Sequence, residues 1–544
     1  MDQWLGNQWK NRKPQHIAAF LGAMIAGLIA HMPVMIHNYP TLDTFWNIYS
    51  DQNMITSGRQ FLTFACAPTS YYNLTWVNGI VALFWLAVSA VILTELFHIE
   101  KKLPAAILGG ILSTFPAVTG TFVFIYTIDG YMMAFAVACG GVLLARKTKW
   151  GFLPAILGIG FSLGVYQSYF SVAILLCIFV LLQDILRGGI EEAAEGAESR
   201  KKEDGKEEQG KKDATSKGGI KKVLLTGLRF LLMGIGGYAF YLISLKIMLA
   251  VQGAELSGYQ GSDKVTGLNL SELPAGLIAA LKDFASFTKG GGIFTVNMFM
   301  LVAYAFFMVL SVILFVTLFI RRKCFRSIGA VFLTILLIFA IPFAASLIKV
   351  MSPDSYFHIL MRMPWAVFFV FGIALLSEFS TEREKRKSGF GAFIGALGTI
   401  AVASMIFHFI LSANIVYFNL NERYEKTYAM ALRIADRLEQ TEGYKVGDPV
   451  AILGGYPNQE NYPSTDITGR ITKAYHLSQG DYCVNSSEKF EEFMKHYLNV
   501  TIKSAPFEEQ LRIGGTEEFL EMPCFPDVES IQLIDGIWVI KLNG

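Results

Sequence analysis

The sequence predicts an all-α polytopic membrane protein that ends in a small α/β domain. Three observations support this fold class. Hydrophobic residues make up 53% of the 544 residues and charged residues only 17%, with a mean hydropathy of +0.43, whereas a soluble globular protein carries about 25% charged residues. Apolar segments sufficient for eleven membrane helices follow one another along the chain. After Tyr417 the composition becomes that of ordinary soluble sequence.

The composition and the absent motifs exclude several functional classes. The 46 basic and 44 acidic residues leave a formal net charge of +2, so the chain has no polyanion-binding character. Six cysteines are too few for a disulfide scaffold. The sequence contains no P-loop, HExxH or CxxC motif, and no Asp-x-Asp motif for a nucleotide-linked sugar on the predicted cytoplasmic side. A sugar donor carried by a nucleotide is therefore disfavoured.

The first predicted helix is His16–Ile36, which follows Lys10, Arg12 and Lys13. It is longer than a signal-peptide core, and no small-x-small cleavage site follows it. We therefore interpret it as an uncleaved anchor with the N-terminus in the cytoplasm. Residues 37–75 are too polar to span a membrane and are predicted to form the first outer loop.

Ten further helices are predicted from the remaining apolar segments. Trp76–His98 is the second helix. Leu103–Ala145 has 43 residues and a single charge, Asp129, which fits two helices, and Trp150–Leu186 fits another hairpin. Five later spans complete the set: Val223–Val251, Ile293–Ile320, Ser327–Val350, Met363–Phe379 and Gly389–Tyr417.

Lys and Arg clusters occur at every second connection between the predicted helices. They lie at residues 10–13, 101–102, 146–149, 187–222, 321–326 and 383–387. The positive-inside rule places all of them in the cytoplasm. Because the helix count is odd, the C-terminal domain is predicted to lie outside. Residues 187–222 are too polar to fold and are predicted to be a disordered cytoplasmic loop, with a regulatory or docking role as the alternative.

These features divide the chain into four parts. Residues 1–186 form an N-terminal membrane module with the first outer loop, 187–222 the charged loop, 223–418 the C-terminal membrane helices, and 419–544 an extracytoplasmic α/β domain. The sequence predicts a buried strand at Val450–Leu453. It also predicts a β-hairpin at Ile531–Ile540 with its turn at Asp535-Gly536. Cys483 and Cys524 are candidates for a disulfide in that compartment.

Acidic and polar residues on the outer side are the candidates for chemistry. Asp43 is flanked by Phe45 and Trp46 in the first outer loop. Such a carboxylate suits a general base or a sugar-hydroxyl contact, and the alternative is that it only caps a short interfacial helix. Asp129 interrupts a long apolar run, where ionisable residues are usually functional; its alternative is an N-cap of the fourth helix. The turn at Tyr166-Gln167 is either a ligand contact or a plain hairpin turn.

Four basic residues also fall on the outer side: Arg59, Lys246, Lys349 and Arg362. Lys246 and Lys349 lie near helix ends and could simply snorkel. Arg362 begins a helix, where a cation opposes the helix dipole, so it requires a carboxylate or an anionic ligand. Arginine suits bidentate phosphate binding, which makes a lipid phosphate one candidate partner. The alternative is ion pairing with Asp51, Asp129 or Asp354.

Short motifs on this side resemble a known family. They are Asp43, Ser57-Gly58-Arg59-Gln60, Asp129-Gly-Tyr131, Leu163-Gly-Val-Tyr166-Gln167 and Arg362-Met-Pro364. Together with the helix count and the tail, they resemble the GtrII family of bacterial membrane glucosyltransferases, a family of the GT-C class. The resemblance covers about residues 10–420 and implies a GT-C-like membrane fold.

The resemblance implies a polyprenyl-phosphate sugar donor that is used on the outer side of the bacterial cell membrane. It also implies an acidic residue of the first outer loop as catalytic base, with Asp43 as the best match and Asp51 in reserve. The developing charge of the leaving phosphate needs cations, a role for Arg59, Arg362 and Lys349. Contacts to the substrates are expected from Trp46, Asp129, Tyr131, Tyr166 and Gln167.

The predicted function is the transfer of a hexose to a cell-surface glycan, and the resemblance implies that this hexose is glucose. The resemblance further implies a separate donor synthase and a small flippase as partners. The sequence shows no residue spacing typical of metal ligands, so we assign no metal ligand. The use of a divalent metal stays open. The alternative is a lipid-linked glycan flippase or polysaccharide transporter, although no internal repeat is clear. A sensor or anchor would not explain the clustered polar residues.

Overall fold

A computed structural model describes residues 13–202, 212–258, 271–289, 298–385, 389–455 and 482–543. The chain divides into two compact units. The first comprises Met1–Met35 and Ser50–Ala413, and the second comprises Ile36–Tyr49 and Asn414–Gly544. A short segment that directly follows the first helix thus belongs to the same unit as the C-terminal domain.

Helices account for nearly all of the first unit. In chain order they are Pro14–Ile36, Leu62–Tyr71, Thr75–Leu96, Lys102–Thr114, Pro116–Phe122, Ile128–Lys147, Phe152–Val165, Tyr169–Lys202, Lys212–Gln252, Leu273–Thr288, Met298–Arg321, Ile328–Ala345, Leu347–Met351, Ala366–Lys385 and the first half of Gly389–Gln440. Short 3-10 turns lie at Ile55–Ser57, Ile125–Thr127, Cys324–Arg326 and Ile359–Trp365.

The polytopic membrane fold is confirmed. Among the described residues, nine helices are long and apolar enough to cross a membrane, and a tenth results if the bent pair Lys102–Thr114 and Pro116–Phe122 is one span. The pair bends by 44° at Phe115, because the residue before a proline is pushed out of the helical region. With the shorter apolar helix Phe152–Val165, these helices account for all eleven predicted segments.

The structure differs from the prediction in the charged loop and at the last span, which continues as one helix to Gln440. The helices Tyr169–Lys202 and Lys212–Gln252 extend from both sides into 187–222, which was expected to lack regular structure. This stretch is rich in Ala, Glu and Lys, and these residues are strong helix formers even where no core is available. Residues 203–211, and residues 293–297 of a predicted span, lie outside the described part.

Basic residues of four of the predicted clusters meet acidic side chains at one end of the first unit. Lys13 and Lys147 both bind Glu95, at 2.8 and 2.7 Å. Arg146 pairs with Asp184. Arg187 and Arg322 both reach Glu378, at 3.4 and 2.8 Å. We call this the basic end, defined by Lys13, Arg146, Lys147, Arg187 and Arg322.

The helix Ile128–Lys147 relates the basic end to the opposite end. Asp129 lies in its first turn, and Arg146 and Lys147 lie in its last turn. Because a helix rises 1.5 Å per residue, Asp129 and Lys147 are separated by about 27 Å, which is close to the thickness of a hydrocarbon core. The end that carries Asp129 is therefore the far side of the bundle from the basic end.

Burial separates inner from outer helices in the first unit. In the spans Tyr169–Gly188 and Ile359–Glu382, 83% of the residues in the 18-residue apolar stretch are buried. In Ile328–Ala345, which is strongly apolar, only 22% of the residues are buried. Apolar faces left open by the protein are those that lipid covers. Glycines allow close contacts inside the bundle: a Cβ on Gly160 would lie 2.8 Å from the backbone oxygen of Gly237. The glycine spacing in Phe152–Val165 thus serves helix packing.

The second unit contains a four-stranded sheet in the order β2-β1-β4-β3. The strands are β1 Pro449–Leu453, β2 Lys503–Ser504, β3 Ile531–Ile534 and β4 Ile537–Lys541. β1 is parallel to β2 and β4, and β3 and β4 form the predicted hairpin, with Asp535 and Gly536 both at positive φ. The helices of this unit are Thr44–Asn47, Ser487–Phe493, Phe507–Gly514, Glu517–Glu521 and the second half of Gly389–Gln440.

Both faces of this sheet are covered. Met430 and Ile434 of the long helix and Phe490 of Ser487–Phe493 pack on one face, and Ile513 and Phe519 pack on the other. The sheet thus lies between two helical layers, and the prediction of a small α/β domain is confirmed. Cys483 and Cys524 are free thiols. Burial raises the pKa of Cys483, so this thiol stays protonated and unreactive.

Candidate functional site

Arg59 lies against two aromatic rings at the end of the bundle opposite the basic end. Its Nη1 donates a hydrogen bond to the Tyr131 hydroxyl at 3.0 Å, and its Cζ lies 5.1 Å from the ring centroid of Tyr166. The two rings stack with centroids 4.6 Å apart and are 4% and 2% exposed. Water is thus largely excluded around a half-buried cation, which strengthens any charge interaction it makes.

The turn that presents Arg59 depends on Gly58, whose φ is +72°. Its backbone oxygen accepts hydrogen bonds from Gln167 Nε2 at 3.1 Å and from the Tyr241 hydroxyl at 3.1 Å. A Cβ at this position would lie 2.7 Å from the Tyr241 hydroxyl oxygen and 2.9 Å from Gln167 Nε2. Only glycine therefore satisfies both the backbone conformation and the close approach.

The motifs Ser57–Gln60 and Leu163–Gln167 contact each other directly. Gln167 Nε2 donates to the Ser57 carbonyl at 2.8 Å and to the Gly58 carbonyl at 3.1 Å. The N–H of Phe61, which follows the first motif, donates to the Gly164 carbonyl at 2.8 Å. Gln60 Nε2 donates to the Tyr241 carbonyl and to Ser244 Oγ, each at 3.1 Å. The structure therefore brings together two motifs that the sequence could only place on the same side.

Tyr241 and Ser244 were missed by the sequence reasoning. Both lie on the helix Lys212–Gln252 and support the Gly58 turn. With Tyr238 they form a polar series at a spacing of three residues in the otherwise apolar stretch 230–245 of this helix. Residues three apart share a helix face, so this spacing was the signal that could have found them.

Asp129 is buried, with only 3% of its surface exposed. Its Oδ2 accepts a hydrogen bond from Thr69 Oγ1 at 2.6 Å, and its Oδ1 has no hydrogen-bond partner among the described residues. The expected alternative, an N-cap, is wrong: Thr127 holds that position and Asp129 lies in the first helical turn. A carboxylate is favourable there because of the helix dipole. Thr69 was not singled out from the sequence.

Arg362 has a carboxylate partner that none of the sequence alternatives named. It forms a bidentate ion pair with Asp283, with Nη1–Oδ2 and Nη2–Oδ1 distances of 3.1 and 2.7 Å. Its Cζ lies 4.4 Å from the Phe357 ring centroid. Ser168 Oγ donates to the Met361 carbonyl at 2.6 Å, so the segment before Arg362 is attached to the turn after Gln167.

Lys349 lies in the short helix Leu347–Met351, and its ammonium donates to the carbonyls of Pro353 and Ser355. Asp51 is exposed, and its Oδ1 accepts from the Asn53 N–H at 3.1 Å. The described residues include no group of three or more His, Cys, Asp or Glu side chains that could hold a metal ion.

Asp43 and Trp46 belong to the second unit. Asp43 is exposed and occupies the N-cap position of the helix Thr44–Asn47, but its side chain makes no capping hydrogen bond. Its backbone oxygen accepts from Asn47 Nδ2 at 2.7 Å. Trp46 is 60% exposed. The carboxylate and the indole are thus both accessible.

The fold and this geometry define a polytopic membrane protein with a cation held over aromatic rings, and a buried carboxylate, at the end of its bundle opposite the basic end. The chain matches the family Glucosyl transferase GtrII over residues 32–192 and 208–371, more than half of its length, and it belongs to that family. It is therefore a glycosyltransferase. Comparisons with curated proteins and with solved structures each give no match.

The family match includes the motifs described above, from Asp43 to Arg362. It leaves out residues 1–31, residues 193–207 within the charged stretch, and everything after residue 371. The sheet of the second unit therefore lies outside the matched region, whereas Ile36–Tyr49, which belongs to the same unit, lies inside it.

Proposed function

We propose that the protein transfers a hexose from a polyprenyl-phosphate donor to a cell-surface glycan on the outer side of the bacterial cell membrane. Its membership of a glucosyltransferase family supports glucose as this hexose. The observation that carries this proposal is the half-buried Arg59 over Tyr131 and Tyr166, at the end of the bundle opposite the basic end. The positive-inside rule puts the basic end in the cytoplasm. The N-terminus is then cytoplasmic and the C-terminal domain extracytoplasmic.

The donor phosphate is the ligand proposed for the cations. When the bond between the sugar C1 and the phosphate oxygen breaks, negative charge develops on the leaving polyprenyl phosphate. A preorganised cation in a water-poor site stabilises such charge strongly. Arg59 is the first candidate because rings screen it from water. Arg362 and Lys349 are the further candidates, and binding of phosphate to Arg362 would compete with its pairing to Asp283.

The acceptor side needs a base. As an acceptor hydroxyl attacks C1, a new C1–O bond forms and the hydroxyl proton must leave. We propose that the exposed carboxylate of Asp43 accepts this proton. Asp51 is the second candidate for this role. Trp46, Asp129, Tyr131, Tyr166 and Gln167 are proposed to contact the substrates. A separate synthase would make the donor, and a small flippase would bring it to the outer leaflet.

The test compares surface glycans by mass spectrometry in a wild-type strain, a deletion strain, and strains carrying Asp43→Asn or Asp51→Asn. Asp354→Asn is the matched control, because Asp354 is also exposed and has no assigned role. We expect the deletion and Asp43→Asn to keep the polymer but lose one hexose branch, while the control keeps both. A transferase with another base would lose the branch in the deletion and keep it in Asp43→Asn.

Transport is the competing function, and the same experiment distinguishes it. A flippase or exporter carries the whole polymer or its repeat. Loss of the entire surface polymer in the deletion strain, with no change in the Asp43→Asn strain, would therefore contradict the transferase proposal.

A further inference from the structure

We propose that the C-terminal domain is a working part of the transferase, because it holds the segment Ile36–Tyr49 and thereby positions Asp43 for the acceptor. This inference rests on the proposed role of Asp43 as base. It assigns a function to a domain that lies outside the family match, and all of its evidence comes from contacts within the second unit.

Phe45 anchors the segment in the core of the domain. It follows Asp43 by two residues and is only 5% exposed. Its ring centroid lies 6.2 Å from that of Phe493 and 6.5 Å from that of Tyr497, both with edge-on geometry. Met430 and Ile434 belong to the same hydrophobic cluster. Burial of an aromatic side chain dominates the energetics of such a contact, so Phe45 fixes the segment to this domain.

The segment is also held on either side of Phe45. The Thr41 N–H donates to Thr44 Oγ1 at 2.7 Å, and Asn47 Nδ2 donates to the Asp43 carbonyl at 2.7 Å. Further along, the Tyr49 ring centroid lies 5.2 Å from that of His496. The backbone that carries Asp43 is thus fixed by local hydrogen bonds and by three aromatic contacts, while its carboxylate remains exposed.

The domain also carries a cation on the helix that packs against the segment. Lys489 lies on the helix Ser487–Phe493, against which Thr44–Asn47 packs. Burial lowers the pKa of Lys489, and the negative charge of Asp43 opposes that shift. A fixed backbone and an accessible carboxylate are what a positioned base requires.

The test uses the purified full-length enzyme in lipid nanodiscs, with undecaprenyl-phosphate glucose as donor and glycan extracted from the deletion strain as acceptor. The variants are Phe45→Ala, Phe45→Leu and Tyr49→Ala. Phe507→Ala is the matched control, because Phe507 is an aromatic residue of the same domain that is 64% exposed. We expect Phe45→Ala to lower kcat by about 10²-fold, the cost of a misplaced catalytic group, without changing KM for the donor. Phe45→Leu should restore part of the rate, and Phe507→Ala should leave it unchanged.

Double variants separate positioning of Asp43 from general damage. If Phe45 acts through Asp43, Phe45→Ala adds no further loss to Asp43→Asn, because a misplaced base and a missing base are equivalent. Effects that multiply, or full activity of Phe45→Ala, would overturn the inference. If Phe45→Ala fails to fold, Tyr49→Ala, a substitution at the protein surface, replaces it in the test. A decrease in kcat that disappears in the Asp43→Asn background supports the inference. An unchanged kcat overturns it.

Failure of this inference is distinguishable from failure of the proposed function. If the Asp43→Asn variant is inactive while the Phe45 and Tyr49 variants are fully active, the proposed role of the domain is contradicted and the role of Asp43 as base still stands. Transfer by the wild type together with an active Asp43→Asn variant overturns the inference while hexose transfer stands. Absence of transfer by the wild type, with the polymer lost in the deletion strain, contradicts the proposed function itself.

Discussion

Arg362 and Asp283 form a bidentate ion pair in which Nη1–Oδ2 and Nη2–Oδ1 distances are 3.1 and 2.7 Å. Ser346 Oγ donates to the same carboxylate at 2.7 Å. The side chains are 15% and 11% exposed. The pair explains how a cation can stand just before the helix Ala366–Lys385, where the helix dipole opposes it: the carboxylate neutralises it locally.

Asp283→Asn should destabilise the protein by about 3 kcal/mol, because it leaves a largely buried guanidinium without its carboxylate. Thermal unfolding in detergent measures this loss. The exchanged pair, Asp283→Arg with Arg362→Asp, should recover much of the stability, since the ion pair is re-formed. It should not recover transfer, because the cation then occupies the wrong backbone position for the donor phosphate. Recovery of both properties would show that Arg362 is structural.

Tyr131→Phe should lower kcat/KM for the donor by about tenfold or more, because it removes the hydroxyl that accepts a hydrogen bond from Arg59, and a hydrogen bond to a charged group contributes about 1.5–3 kcal/mol. Steady-state kinetics with the lipid-linked donor measure the change. Tyr428→Phe, a more exposed tyrosine of the second unit, serves as control. An unchanged donor kcat/KM would mean that the orientation of Arg59 does not matter for the donor.

Gly58→Ala tests the turn that presents Arg59, and Gly253→Ala is its matched control. Both glycines have positive φ, +72° and +62°, so each substitution should cost about 1 kcal/mol of stability or more. The added methyl meets Tyr241 and Gln167 at Gly58, whereas at Gly253 it meets no atom of the described residues within 4 Å. We therefore expect only Gly58→Ala to abolish transfer in the kinetic assay. Equal activity of the two variants would contradict the proposed site.

Asp129→Asn should reduce transfer by about tenfold or more if this carboxylate contacts a substrate, because the amide keeps the shape and loses the charge. Thr69→Val removes the hydrogen bond to Oδ2 and should mainly destabilise the fold, by about 1–3 kcal/mol. Comparing kcat/KM with unfolding temperature for the two variants separates these roles. A fully active Asp129→Asn variant with lowered stability would identify Asp129 as a structural residue.

Part of the candidate site could be predicted because its residues violate local rules. Arg59 and Arg362 are basic residues on the side where basic residues are disfavoured, and Asp129 and Gln167 are polar residues in apolar segments. Each anomaly was visible without a structure. Their supports were not: Thr69, Asp283 and Tyr241 show no local anomaly of comparable strength, and their contacts span sequence separations of 60, 79 and 183 residues.

The sequence by itself determined the apolar helices, the alternation of the basic clusters and the β-hairpin at Asp535-Gly536, because hydropathy, charge asymmetry and turn conformation act over a few neighbouring residues. Tertiary structure alone decided that Asp283 pairs with Arg362 and that Phe45 joins the core of the C-terminal domain. Which side chains meet depends on how distant elements pack, and packing responds to shape and burial over the whole unit. Local periodicity carries no record of it.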